Sequence, residues 1–203
     1  PINKRRIAEG KNPANSLWLW GEGTKPMLEN FESKTGLKGG VISAVDLVKG
    51  IALLADMRFI AVEGATGNYD TNFRGKALAA ADALTDGGLD YVYIHMEAPD
   101  ECGHHGDVAH KIYSIEQIDS VVIKTLKEEL ERAGEEYCLL ICPDHPTPCA
   151  IKTHVSDPVP YMIYTNTRDL GNGARRYTED EAERTGIFIE NGYTLIDRLL
   201  EIK

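Results

Sequence analysis

Short apolar runs alternate with longer stretches of helical pattern along most of this chain. Each run has the length and the β-branched or aromatic content of a strand, and turn-forming residues bound it. Strands that alternate with helices predict an α/β fold with a doubly wound, largely parallel sheet and helices on both faces. The predicted strands cover residues 17–20, 40–45, 57–62, 90–96, 137–142 and 160–164.

The longest predicted helix carries the clearest periodic pattern. Its residues 107–132 include apolar side chains at intervals of three and four, namely Ile112, Ile115, Ile118, Val122, Leu126 and Leu130. This spacing predicts one apolar stripe packed against the sheet. Further helices are predicted at residues 25–35, 46–55 and 72–84, at a capping-box pattern that begins at Thr178, and at residues 192–202.

The length and composition predict a single globular domain. A chain of 203 residues with 42% hydrophobic content can bury a sizeable core. Residues 1–16 are polar and turn-rich, so we expect a linker from a missing upstream region, followed by a core over residues 17–203. No apolar run resembles a signal peptide or a membrane span, and we therefore expect a cytoplasmic protein without a membrane partner.

The net charge limits the possible ligands. A formal charge of -10 argues against a general nucleic-acid surface, and an anionic substrate would have to be met by local cations. Arg5 and Arg6 form a basic pair near the start of the chain. Such a pair is either a solvated face or a contact to a substrate phosphate.

Acidic and histidine residues cluster where two predicted strands end. Asp100 and His104 follow the strand at 90–96, Asp144 and His145 follow the strand at 137–142, and His154 lies in the next loop. Parallel strands present their ligands at their carboxyl ends, so these residues predict a metal site. A carboxylate and an imidazole four residues apart can share one side of a helical turn, or close around an ion in a loop. Such mixed ligands suit Mn, Zn, Co or Mg.

Each of these residues also has an ordinary structural explanation. An Asp-x-x-x-His spacing is common by chance, and Asp144 before His-Pro could form only an Asx turn. Their joint position at the ends of adjacent predicted strands favours the metal site. His95, inside a predicted strand, is expected to be a hydrogen-bonded core residue, and His105 and His110 to support the ligands or lie on the surface.

Three segments resemble the metal-binding segments of the archaeal-type, 2,3-bisphosphoglycerate-independent phosphoglycerate mutases of the alkaline phosphatase superfamily. They are Glu97-Ala-Pro-Asp-Glu-Cys-Gly-His104, Pro143-Asp-His-Pro-Thr-Pro148 and Thr153-His-Val-Ser-Asp-Pro-Val-Pro160. The resemblance implies two divalent ions, one held by Asp100, His104 and His154 and the other by Asp144 and His145. It also implies interconversion of 3-phosphoglycerate and 2-phosphoglycerate through a phosphoserine.

One departure from the family pattern concerns the nucleophile. The family completes its second metal site with an aspartate near its N-terminus and with the serine that becomes phosphorylated, and no serine here matches that serine's motif. We therefore expect a C-terminal part that lacks the N-terminal strands and is inactive alone. The alternatives are a metal-dependent phosphatase or phosphonate hydrolase of the same superfamily, and a non-catalytic metal-binding fragment.

Overall fold

The computed structural model describes residues 1–19, 21–171 and 174–202. Its strands are β1 Gly39–Ile42, β2 Arg58–Phe59, β3 Tyr91–Ile94, β4 Cys138–Ile141 and β5 Met162–Thr165. Its helices are α1 Ile2–Ala8, α2 Phe31–Thr35, α3 Asp46–Leu54, α4 Phe73–Thr85, α5 Ala98–His105, α6 Val108–Gln117, α7 Lys124–Ala133, α8 Glu179–Arg184 and α9 Leu195–Leu200. A π-helical turn, Ile118–Ile123, joins α6 to α7, and a 3-10 turn, Gly192–Thr194, precedes α9.

The parallel sheet has the strand order β2-β1-β3, with β1 at its centre. Strands β4 and β5 form a separate antiparallel ladder that runs from Cys138 opposite Thr165 to Ile141 opposite Met162. The predicted α/β class with a parallel sheet and flanking helices is confirmed. The last two strands differ from the expectation of one sheet, because they pair with each other.

Helices cover both faces of the parallel sheet. A side chain at Gly39 would collide with Phe31 of α2, whereas one at Gly40 would collide with Leu89 on the opposite face. On that second face Ile42 packs in a buried core with Ala80, Ala81, Leu126 and Leu130 of α4 and α7. The carboxyl ends of β1 and β3 therefore emerge between two helical layers, where a site can be built.

The predicted helix at 107–132 forms as a continuous helical run, but its apolar stripe is only partly buried. Val122, Leu126 and Leu130 are buried, whereas Ile112 and Ile115 are each 52% exposed. The expectation of one stripe against the sheet is therefore wrong for the first turns. There α6 packs on α5, and the π-helical turn changes the rotation of the side chains that follow it.

The N-terminal region also differs from the expected pattern. The described residues 17–19 form no strand: they pair with no other segment, and their side chains are almost fully exposed. Trp20, the last residue of that predicted strand, lies outside the described residues. The helix expected at 25–35 begins only at Phe31, because the Asn30 side chain accepts a hydrogen bond from Ser33 N and caps it there. Helix α1 lies within residues 1–16, whose role as a linker stays a prediction.

No helix among the described residues is both long enough and apolar enough to cross a membrane.

Candidate metal centre

Helix α5 carries Asp100 and His104 directly after strand β3. Pro99 favours a helix start there, and Gly106, with φ 72°, ends the helix in the left-handed conformation. The Asp100 carboxylate stabilises the first turn through the helix dipole. Asp100 Oδ2 lies 3.3 Å from His104 Nε2, so the two side chains share one side of the helix as their spacing predicts.

The other predicted ligands come from the chain that follows strand β4. The Asp144 Oδ2 atom lies 3.2 Å from His145 Nε2. His154 reaches the same place from a loop anchored by a hydrogen bond from Val155 N to Pro146 O, 3.1 Å long. His154 Nε2 lies 3.4 Å from Asp100 Oδ1 and 3.0 Å from His104 Nε2, and its ring centroid is 3.7 Å from that of His145.

Contacts of 3.0–3.4 Å therefore link Asp100, His104 and His154, and a contact of 3.2 Å joins Asp144 to His145. Asp100, His145 and His154 can each offer one ligand atom, and these atoms lie within 4.8 Å of one another. His145, which was predicted to bind a second ion with Asp144, therefore also lies beside Asp100 and His154, which were predicted to bind the first. Carboxylate and imidazole ligands in such an arrangement are chemically suited to a divalent cation.

Two further contacts hold the ligands in position. The Thr147 hydroxyl donates a hydrogen bond to Asp100 Oδ1 and lies 3.3 Å from His145 Nδ1. His104 Nδ1 lies 3.1 Å from the carbonyl oxygen of Lys152. A hydrogen bond from Nδ1–H to this carbonyl would leave Nε2 free to face an ion, as ligating histidines commonly do.

A group of carboxylates that shares Asp100 lies beside the ligands, and its other members, Glu97 and Glu101, were not among the predicted ligands. Glu97, Asp100 and Glu101 place carboxylate oxygens within 4.8 Å of one another. His95 Nε2 lies 3.1 Å from Glu97 Oε2, and His95 Nδ1 lies 3.2 Å from Ser43 Oγ. These contacts agree with the expectation of a hydrogen-bonded His95, whose pKa is lowered by burial.

Burial raises the pKa of Glu97, and the neighbouring charges of Asp100, Glu101 and Asp144 raise it further. Lys76 of α4 is also part of this region and is only 1% exposed. The sequence could have indicated the burial of Lys76, because this lysine stands among the apolar residues of the buried face of α4, including Phe73, Ala77 and Ala80.

The remaining candidates lie apart from the ligand cluster. His110 Nδ1 is 2.6 Å from Asp107 Oδ2 and its ring stacks on Tyr69, and the hydrogen bond from His110 lowers the pKa of Asp107. His105 is exposed. Arg6 donates from Nε to the carbonyl oxygen of Asn12 at 2.7 Å and Arg5 is exposed, so their contact to a phosphate stays a prediction.

Comparisons with known proteins show which family the chain resembles. Residues 1–199 match the Metalloenzyme superfamily. A Geobacter sulfurreducens protein named a probable 2,3-bisphosphoglycerate-independent phosphoglycerate mutase is 46% identical over 201 residues, which cover 99% of this chain and 50% of the relative. A Methanothrix thermoacetophila protein named as such a mutase is 52% identical over 163 residues, which cover 80% of this chain and 41% of the relative.

Two solved structures share the fold of this chain. A Pyrococcus horikoshii protein superimposes with a TM-score of 0.75 at 30% identity, covering 85% of this chain and 51% of that protein. A cofactor-independent phosphoglycerate mutase from Thermoplasma acidophilum shares the fold, with a TM-score of 0.62 at 22% identity over 98% of this chain and 46% of that protein. These findings confirm the resemblance to the mutases, and the chain spans about half the length of the curated relatives it matches.

Proposed function

The chain belongs to the metalloenzyme superfamily, and from this premise we propose that it supplies the metal centre of a 2,3-bisphosphoglycerate-independent phosphoglycerate mutase. The observation that carries the proposal is the meeting of Asp100, His145 and His154, whose ligand atoms lie within 4.8 Å of one another. The mutase names of relatives that match almost the whole of this chain support the choice of reaction.

We assign the ligands by residue as follows. Asp100, His104 and His154 would hold one divalent ion, and Asp144 and His145 would hold a second. His145 also lies close to the first set, so the two ions would be neighbours. Mn, Zn, Co and Mg all fit carboxylate and imidazole donors. When bound, such ions neutralise the charge of a transferring phosphoryl group and lower the pKa of an attacking hydroxyl.

The substrate in this proposal is phosphoglycerate, interconverted between its 3-phospho and 2-phospho forms through a phosphoserine. No serine of the sequence matches the nucleophile motif of the family, and Ser43, which contacts His95, is only 6% exposed. We therefore assign the nucleophile and the remaining ligands to protein outside these residues. Arg5 or Arg6 would contact the substrate phosphate.

An activity assay tests this proposal. We expect residues 1–203 alone to interconvert no phosphoglycerate, and a longer protein that includes them to do so with a divalent ion. In the longer protein, His154→Ala should abolish the interconversion because it removes a ligand. His110→Ala should retain it, because His110 contacts Asp107 and Tyr69 instead.

Two outcomes would contradict the proposal. Release of inorganic phosphate in place of interconversion would indicate a phosphatase of the same superfamily. Turnover by residues 1–203 alone at the rate of the longer protein would show that the nucleophile lies in this chain.

A further inference from the structure

Lys76 places an ammonium group in the interior of the protein. The residue is 1% exposed and lies on α4, beside the buried side chains of Phe73, Ala77 and Ala80. A buried charge is strongly unfavourable unless hydrogen bonds and opposite charges compensate it. The surroundings of Lys76 therefore have to explain its presence.

Two backbone carbonyls hold the ammonium group. Lys76 Nζ donates to the carbonyl oxygen of His95 at 3.2 Å and to that of Thr66 at 3.5 Å. Both carbonyls belong to segments that flank Glu97. The His95 ring contacts the Glu97 carboxylate, and Gly67 lies so close that a Cβ atom there would be 3.5 Å from Glu97 Cγ.

The segments that hold Lys76 also contact a carboxylate, that of Glu97. Glu97 belongs to the group of close carboxylates that also contains Asp100 and Glu101. Burial lowers the pKa of Lys76, and the negative charge of Glu97 opposes this change. A nearby positive charge reduces the mutual repulsion of the carboxylates, and the Lys76 ammonium is such a charge.

We propose that Lys76 is the internal counter-ion of the Glu97, Asp100 and Glu101 carboxylates and that it sets the affinity of the neighbouring centre for divalent cations. This inference rests on the proposed metal centre, which shares Asp100 with the carboxylate group. The ammonium and a bound cation stabilise the same negative charges and repel each other. Loss of the ammonium charge should therefore make cation binding tighter.

A purely structural role for Lys76 gives the opposite result. If Lys76 only holds the carbonyls of His95 and Thr66, its loss would loosen the start of α5, which carries Asp100 and His104. The ligands would then be less well placed, and cation binding would become weaker. The direction of the change in affinity separates the two roles.

The test is a calorimetric titration of chelator-treated protein with Mn²⁺ at fixed ionic strength. Lys76→Met removes the charge and the donor, whereas Lys76→Gln removes the charge and keeps a donor. We expect both variants to bind Mn²⁺ about tenfold more tightly than the wild type, since a unit charge acts strongly on a nearby divalent ion. Lys127→Met changes the net charge equally and should leave the affinity unchanged, because Lys127 Nζ lies over the Tyr164 ring.

Unchanged or weaker binding by folded Lys76 variants would overturn the inference. If those variants do not unfold cooperatively, Glu97→Gln tests the same pair in the wild-type background. It removes a negative charge that the ammonium and the cation share and leaves the ammonium less compensated, so Mn²⁺ binding should weaken severalfold. An unchanged affinity would refute the pairing. A wild-type protein that binds no Mn²⁺ would contradict the metal centre itself, and with it this role of Lys76.

Discussion

Thr147 connects the two segments of the metal centre through one short side chain. Its hydroxyl contacts both Asp100 and His145, and its carbonyl oxygen accepts a hydrogen bond from Lys111 Nζ at 2.7 Å. The residue is 4% exposed. Because Thr147 packs directly on helix α5 at Gly103, the distance between α5 and the loop after β4 depends on the absence of a side chain there.

The first prediction at the residue scale concerns this close approach. A Cβ atom at Gly103 would lie 2.2 Å from Thr147 O, so Gly103→Ala must push the loop away from α5. We expect the free energy of unfolding to fall by about 1–3 kcal/mol, as for other overpacked sites. Urea denaturation of the metal-free protein measures this change.

Gly50→Ala is the matched control for that substitution. Gly50 also lies in a helix, α3, but a Cβ atom there would meet nothing within 4 Å. Alanine in a helix interior is favoured over glycine by about 0.5–1 kcal/mol, so this variant should be more stable than the wild type. Equal stability changes in the two variants would show that the contact between Gly103 and Thr147 is not tight.

Residues that act through their own sequence spacing were predictable, whereas residues that act through distant partners were not. Asp100 and His104 share a helical face because they are four residues apart, which the sequence states directly. Thr147 and Lys76 gain their roles from contacts to Asp100 and to the His95 carbonyl, which lie in other segments. Nothing in the sequence around Thr147 or Lys76 specifies those contacts.

At the scale of elements, strand β3 ends the parallel sheet with one edge unpaired among the described residues. Tyr91 N and His95 N donate to the carbonyls of Lys38 and Ile42, at 3.2 and 2.8 Å. Alternate residues of a strand direct their backbone groups to opposite edges, so the amides of Val92 and Ile94 point away from β1.

Amide hydrogen exchange of residues 1–203 should reveal this edge. We expect the Val92 and Ile94 amides to exchange faster than those of Tyr91 and His95, because the latter two donate hydrogen bonds to backbone carbonyls in and beside β1. Strand β1 pairs on both sides and provides the internal control, with uniform protection. Equal protection of the Tyr91, Val92, Ile94 and His95 amides in NMR exchange spectra would mean that another segment covers the edge.

The elements themselves were largely predictable where local signals agree with packing. Strands β1 to β5 all lie within or overlap the predicted apolar runs, because strands that pack in a fold are rich in apolar residues. The run at residues 17–20 has the same composition, but its described residues, 17–19, are exposed and pair with no strand. Pairing is a property of the whole fold, so composition alone could not distinguish this run from the others.

At the scale of the whole molecule, the protein carries a net charge of -10 and gathers several carboxylates at one end of its sheet. The charges of Asp100, Glu101 and Asp144 all disfavour ionised Glu97. Such repulsion lowers the stability of the folded chain in the absence of cations. A cation that binds only the folded state should therefore stabilise the entire domain.

Thermal unfolding with chelator and with Mn²⁺ tests this linkage. Binding at 100 times the dissociation constant stabilises the native state by about 2.7 kcal/mol. For a domain of this size each kcal/mol raises Tm by about 2–4 °C, so we expect an increase of several degrees. His154→Ala should lose most of the increase because it removes a ligand, whereas His110→Ala should keep it. If Mn²⁺ raised the Tm of both variants equally, the stabilising ion would be bound elsewhere, and the cluster of Asp100, His145 and His154 would not be the metal centre.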